Sequence, residues 1–179
     1  TVHAQIVSQI MAANMADEAQ SWVAQPDGSY LRHGDAADAP PGGSDAEREL
    51  IEKGHRQSAK VAAWLSANKM GFDYIICSTR TRARQTAEPV AEALGMQIIT
   101  DGRLSGGQLT VAALAELIEE FGAPERVLLV GHEPDFSDMV EELTGGAIDM
   151  KKGALAAVSC YEVSEGEGML TLLVPPRWL

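Results

Sequence analysis

The chain has 179 residues, 45% hydrophobic and 5% aromatic, with a formal net charge of −12 at pH 7. That composition excludes a disordered segment and supplies enough chain for one well-filled core. The acidic balance argues against nucleic acid or an anionic membrane as a partner. No apolar run approaches the ~20 residues of a membrane span. The N-terminus lacks the basic start and small-residue cleavage site of a secretory signal. A cytoplasmic protein is the expectation.

Residues 1–25 read as a helix, with Val2, Ile6 and Ile10 on one stripe and Val7, Met11 and Met15 beside it. Pro26-Asp27-Gly28 reads as the turn that ends it, so residues 1–28 form an expected helical extension and 29–179 the domain proper. Strand character over 29–33 runs into Arg32-His33-Gly34, where glycine lets the backbone turn. A loop rich in Asp, Ala, Pro and Gly follows to Gly43. Ser44-Asp45-Ala46-Glu47 has capping-box spacing, which predicts a helix over 44–68. Its inward stripe would be Leu50, Ile51, Ser58, Val61, Ala62 and Leu65, with Gly54 weakening the first turns. The continuous apolar run Tyr74-Ile75-Ile76-Cys77 is a strand covered on both faces. A helix over 82–94 stops at Gly95, and a short strand spans 96–100. A third helix covers 111–121, and a second apolar strand, 126–130, leads to Gly131-His132. Pro134 fits the first turn of a helix that runs to Leu143. Strands over 154–163 and 169–174 form a terminal hairpin. Cys77 and Cys160 lie in apolar strands and are expected to be buried free thiols.

Strands alternating with helices imply a single α/β domain, a mostly parallel sheet with helices on both faces. The terminal hairpin adds an antiparallel edge. Three strands end in polar residues: Arg32-His33, Ser78-Thr79-Arg80-Thr81-Arg82 and Gly131-His132-Glu133. In a parallel sheet these ends share one edge and face one crevice. Two imidazoles with two or more guanidiniums make a cationic pocket suited to a phosphoryl group. A neutral imidazole can attack phosphorus, and arginines can offset charge on the equatorial oxygens.

The segments Leu31-Arg32-His33-Gly34, Ser78 with Arg82-Ala83-Arg84-Gln85-Thr86, and Gly131-His132-Glu133-Pro134 stand in the order of the histidine phosphatase superfamily. Within it the chain resembles the SixA-type phosphohistidine phosphatases. Arg48-Glu49-Leu50-Ile51-Glu52-Lys53-Gly54, Asp101-Gly102-Arg103-Leu104 and the Val174-Pro175-Pro176-Arg177 ending add to the likeness, which covers 29–179. The resemblance implies a phosphoglycerate mutase-like fold. It implies that His33 is phosphorylated during turnover and that Arg32, Arg82 and His132 hold the phosphoryl group. It also selects Arg82 from Arg80, Arg82 and Arg84, which spacing does not. No cofactor or metal is implied, and His3 and His55 read as surface residues.

The chain departs from that family in three ways. Residues 1–28 precede the usual start, and the first strand is short in apolar residues. Ile51 stands where a capping Thr is frequent. No carboxylate matches the general acid of the larger members; Asp35, Asp101 and Glu133 are the candidates. The connections after His33, Arg82 and Leu104 are too short for a large lid. An open site suits a phosphorylated protein, such as a histidine-containing phosphotransfer domain. A phosphatase of small phosphoesters is the alternative enzyme, and a phosphate-dependent binding module without turnover is the alternative outside enzymes.

Overall fold

The computed structural model describes residues 27–39 and 41–179, so the expected N-terminal helix lies outside the described residues. Six strands and four helices follow: β1 (Asp27–Arg32), α1 (Glu52–Ala67), β2 (Tyr74–Cys77), α2 (Thr81–Leu94), β3 (Ile98–Thr100), α3 (Val111–Glu120), β4 (Arg126–Gly131), α4 (Asp135–Thr144), β5 (Leu155–Cys160) and β6 (Gly168–Val174). They form one sheet in the order β3-β2-β4-β1-β5-β6. The first four strands in that order pair in parallel, while β5 pairs antiparallel with both β1 and β6. The hairpin therefore extends the sheet past its central strand, as a mixed edge two strands wide.

Side chains alternate across a strand, so adjacent apolar residues serve different layers. Tyr30, Ile76, Val127 and Leu129 point into a core with Leu114, Leu117, Phe136 and Met139 of α3 and α4. Leu31, Ile75, Cys77, Leu128 and Val130 point the other way, onto Val61 and Leu65 of α1 and Ala83, Ala87 and Val90 of α2. This two-sided burial is why β2 and β4 read as unbroken apolar runs. Cys77 is a buried free thiol, and Cys160 is buried as well.

Local expectations need correcting at both flanks of the first crossover. Asp27 and Gly28 belong to β1, opposite Arg126 and Val127 of β4, rather than to a turn. The capping box at Ser44 closes only a single 3-10 turn, Asp45–Glu47. The chain then extends, Leu50 bridges Ala36, and α1 starts at Glu52. Competing partners end the turn: Leu50 N–H donates to Gln85 Oε1 at 2.7 Å and Ile51 N–H to the Asp35 carbonyl at 3.0 Å. Ile51 is 42% exposed and stands outside the inward stripe. Gly54 marks a close approach: a Cβ there would lie 2.1 Å from the Asp35 carbonyl oxygen, and one on Gly34 would lie 2.8 Å from the Gly54 oxygen. Loop and helix thus touch backbone to backbone immediately after His33. Pro134 is the N-cap residue of α4, one position earlier than expected.

Register fixes where the strand ends fall. Arg32 lies opposite Gly131, and Cys77 opposite Val130. The residues that follow, His33, Ser78 and His132, therefore emerge together at one edge of the sheet.

Candidate active site

His33 is 8% exposed, and its Nδ1 lies 2.7 Å from the Gly34 carbonyl oxygen. A carbonyl only accepts, so Nδ1 carries the proton and Nε2 keeps its lone pair. Arg82 Nε donates toward that Nε2 at 3.3 Å. Burial pulls the His33 pKa down to about 4; the Gly34 hydrogen bond opposes this, while Arg82, Arg32 and Lys152 reinforce it. At neutral pH the ring is uncharged.

His132 is 3% exposed, and its ring centroid lies 4.9 Å from that of His33. Its pKa is pushed down to about 2, chiefly by burial and then by His33, Arg82 and Arg80. Nε2 lies 2.8 Å from the Ser78 hydroxyl. Ser78 Oγ also accepts from Arg80 N–H at 3.1 Å and lies 3.2 Å from Ser105 Oγ, which in turn is 2.9 Å from Thr79 Oγ1. Ser78 has one proton: given to Ser105 Oγ, it leaves Nε2–H of His132 as the donor to Ser78, and turned to Nε2 it leaves Nδ1–H as a donor to the pocket. Among the described residues, Nδ1 of His132 is buried without a partner, and so is Nε of Arg32. Arg32 is otherwise tied down by a hydrogen bond from its NH1 to the Met150 carbonyl. Buried polar nitrogens without partners are costly, and these two, with the Arg82 guanidinium that donates to His33 Nε2, suit an oxyanion.

Arg82, on the first turn of α2, is 4% exposed. NH1 donates to the Asp45 carbonyl at 2.7 Å and NH2 to Asp45 Oδ2 at 3.1 Å. Burial lowers its pKa and Asp45 opposes that. Thr86, one turn on, links α2 to the loop after His33: it accepts from Gly34 N–H at 3.1 Å and donates to the Arg82 carbonyl. Arg80 is the N-cap residue of α2 and Arg84 points into solvent, so of the trio only Arg82 reaches His33.

The three carboxyl candidates separate cleanly. Asp35 is held by Lys53 at 2.7 Å and Lys152 at 3.3 Å, and the Lys53 hydrogen bond above all lowers its pKa. Asp101 caps the short turn Gly102–Leu104, and the Arg103 guanidinium keeps it ionised. Glu133 alone is pushed upward, by burial, against the pull of Ser137 and Arg32. Its Oε1 is buried without a partner among the described residues.

Sequence reasoning passed over two residues that organise the site. Asp45 looked like part of a helix cap, and nothing local ties it to an arginine 37 positions away. Asp135, 7% exposed, accepts from Gly107 N–H at 2.8 Å and from the Gln108 and Leu109 amides. It thereby fixes the loop that carries Ser105. Its position on the first turn of α4 was the available signal. Among the described residues no group of three or more His, Cys, Asp or Glu side chains is placed to hold a metal ion, and His55 is exposed; His3 lies outside them. No described helix is long and apolar enough to cross a membrane.

Comparison with known proteins gives a consistent picture. The phosphohistidine phosphatase SixA of Escherichia coli K12 is 30% identical over 143 residues, which span 76% of this chain and 86% of that protein. A probable phosphoglycerate mutase, GpmB, of E. coli O1:K1 is also 30% identical, over 74% of this chain and 67% of its own length. A solved structure of the protein histidine phosphatase SixA in complex with tungstate superposes with a TM-score of 0.75 at 26% identity, covering 84% of this chain and 97% of that one. Residues 30–121 match the family described as histidine phosphatase superfamily, branch 1. The chain belongs to the histidine phosphatase superfamily.

Proposed function

We propose that the chain is a phosphatase working through a covalent phosphohistidine on His33, with phosphohistidine on a protein as its substrate. The observation that carries this is the grouping of a buried, neutral imidazole, whose Nε2 keeps its lone pair and accepts from Arg82 Nε, with two partnerless buried nitrogens, Arg32 Nε and His132 Nδ1. In the first step Nε2 attacks phosphorus; a P–N bond to His33 forms as the bond to the leaving group breaks. Arg32, Arg82 and His132 stabilise the equatorial oxygens as charge redistributes. In the second step water attacks the same phosphorus, and inorganic phosphate and neutral His33 are regenerated. Glu133, held toward its protonated form, supplies the proton for a poor leaving group. An imidazole leaves readily once protonated, so this substrate depends least on that acid.

The tungstate held by the SixA neighbour supports an oxyanion pocket, and the SixA name supports the protein substrate. The phosphoglycerate mutase relative keeps small phosphoesters as the second reading. Rapid quenching into alkali should trap a phosphoenzyme that acid destroys. His33→Ala should abolish turnover while vanadate still binds. Substantial activity in His33→Ala, or faster hydrolysis of 3-phosphoglycerate than of a phosphohistidine protein, would overturn the reading.

A further inference from the structure

A guanidinium carries its N–H donors in a fixed planar fork, so it serves an oxyanion only in the right orientation. For Arg82 that orientation is set from two sides. Nε–H points at Nε2 of His33, 3.3 Å away. At the other end NH1 donates to the Asp45 carbonyl at 2.7 Å and NH2 to Asp45 Oδ2 at 3.1 Å, so one residue holds both terminal nitrogens. Asp45 is itself braced, for Oδ2 also accepts from Arg80 NH1 at 2.5 Å and Oδ1 from Arg48 NH1 at 3.0 Å. The Arg82 side chain is only 5% exposed, while that of Asp45 is half-exposed. The fork is thus gripped at its outer end and aimed at the imidazole from its inner one.

Three guanidiniums share this one carboxylate, and the cluster keeps surplus positive charge. Attraction of an anion therefore does not depend on Asp45; the direction of Arg82 does. Arg80 and Arg48 repel Arg82, and Asp45 is the group that holds the three together. We propose that Asp45 is a positioning residue: it acts through Arg82, fixing the reach and rotation of the guanidinium so that Nε–H lies against the atom on which the P–N bond forms. When the Nε2 lone pair becomes that bond, Nε–H finds an equatorial phosphoryl oxygen as its new acceptor. The inference rests on the phosphoryl pocket proposed above and adds to it the residue that orients one of its arms. Misplacing such a group by about 1 Å costs about 10²-fold in rate.

A double-mutant cycle tests this in the whole protein: Asp45→Ala, Arg82→Ala and the two together, with an aryl phosphate as substrate. Asp45→Ala should lower kcat by about 10²-fold. KM should stay the same or fall, because removing a carboxylate from among three guanidiniums does not weaken anion binding. Arg82→Ala should lower kcat/KM by about 10³-fold, and the double variant should be no slower than Arg82→Ala alone. A merely structural role for Asp45 would multiply the two losses instead. Asp45→Asn takes its place in the cycle if the Ala variant does not fold. A kcat for the Asp45 variant within about twofold of wild type, or losses that multiply, overturns the proposal. The same cycle read on the Kd of vanadate, which mimics the five-coordinate phosphorus, separates this inference from the reading it rests on. Non-additive vanadate binding in a protein that turns over no phosphate ester or phosphohistidine sinks the phosphatase and leaves the positioning role standing; a wild-type protein that binds no vanadate sinks both.

Discussion

Ser78→Ala removes a single hydroxyl that is fully buried at the end of β2. Three contacts go with it: Arg80 N–H at 3.1 Å, His132 Nε2 at 2.8 Å and Ser105 Oγ at 3.2 Å. Ser105 keeps Thr79, but the Arg80 amide and the imidazole nitrogen are left without partners. Each buried orphan costs about 1–3 kcal/mol, and partial relaxation makes about 2 kcal/mol the expected net loss. For a chain of this length that lowers Tm by about 4–8 °C. The larger effect is chemical. A Ser78 O–H turned to Nε2 holds the His132 proton on Nδ1; without that hydroxyl the other tautomer forms freely and presents a lone pair to an anion. Losing one such donor slows turnover by about 10²-fold. Steady-state kinetics with an aryl phosphate, run beside a thermal melt, separates the two effects, since the folded fraction at 25 °C is unchanged. A variant that melts early yet keeps kcat within about twofold of wild type would refute the tautomer argument.

Three further outcomes are expected. Because folding lowers the His33 pKa from 6.5 to about 4, the unfolded chain binds a proton that the folded one does not between those values; stability is full above pH 6.5 and falls as pH drops toward 4, by up to about 3 kcal/mol. Urea denaturation at pH 7 and pH 4.5 measures this, and equal stabilities would contradict it. Glu133→Gln should slow hydrolysis of an alkyl phosphate by about 10²-fold and of a phosphohistidine protein far less; equal losses on both would remove Glu133 as the proton donor. Gly54→Ala should destabilise by about 3 kcal/mol or more, since its Cβ would sit 2.1 Å from the Asp35 carbonyl oxygen, and a melt within 2 °C of wild type would show that the loop yields instead.

The strands and the convergence of their ends could be read from sequence because both rest on local signals. Two-sided burial leaves unbroken apolar runs in β2 and β4, and a polar pair ending such a run has few places to go in a parallel sheet. What the sequence concealed is set by distant partners. The Ser44 cap looked sufficient for a helix, yet Gln85 and Asp35 claim the next amides and defer α1 to Glu52. Gly54 looked like a weakness in a helix and is instead the only residue type that fits against the Asp35 carbonyl. Asp45 pairs across the crossover with Arg80 and Arg82, and no periodicity announces a contact of that span. Choosing among Asp35, Asp101 and Glu133 needed burial and neighbours, which spacing does not carry.

The antiparallel placement of β5 beside β1 has a consequence for the order in which the protein matures. β1 is synthesised early, but its two neighbours in the sheet are β4 and β5, which begin at Arg126 and Leu155. The approach to β5 also completes the surroundings of His33: Gly153 N–H reaches the Arg32 and His33 carbonyls, and the Met150 carbonyl holds the Arg32 side chain. A growing chain therefore carries His33 long before it carries a pocket around it, and pairing at such sequence separation is slow to form. Ribosome-bound fragments ending before residue 150 are expected to lack the contacts that surround Arg32 and His33, which arrive only with the last strands to leave the ribosome.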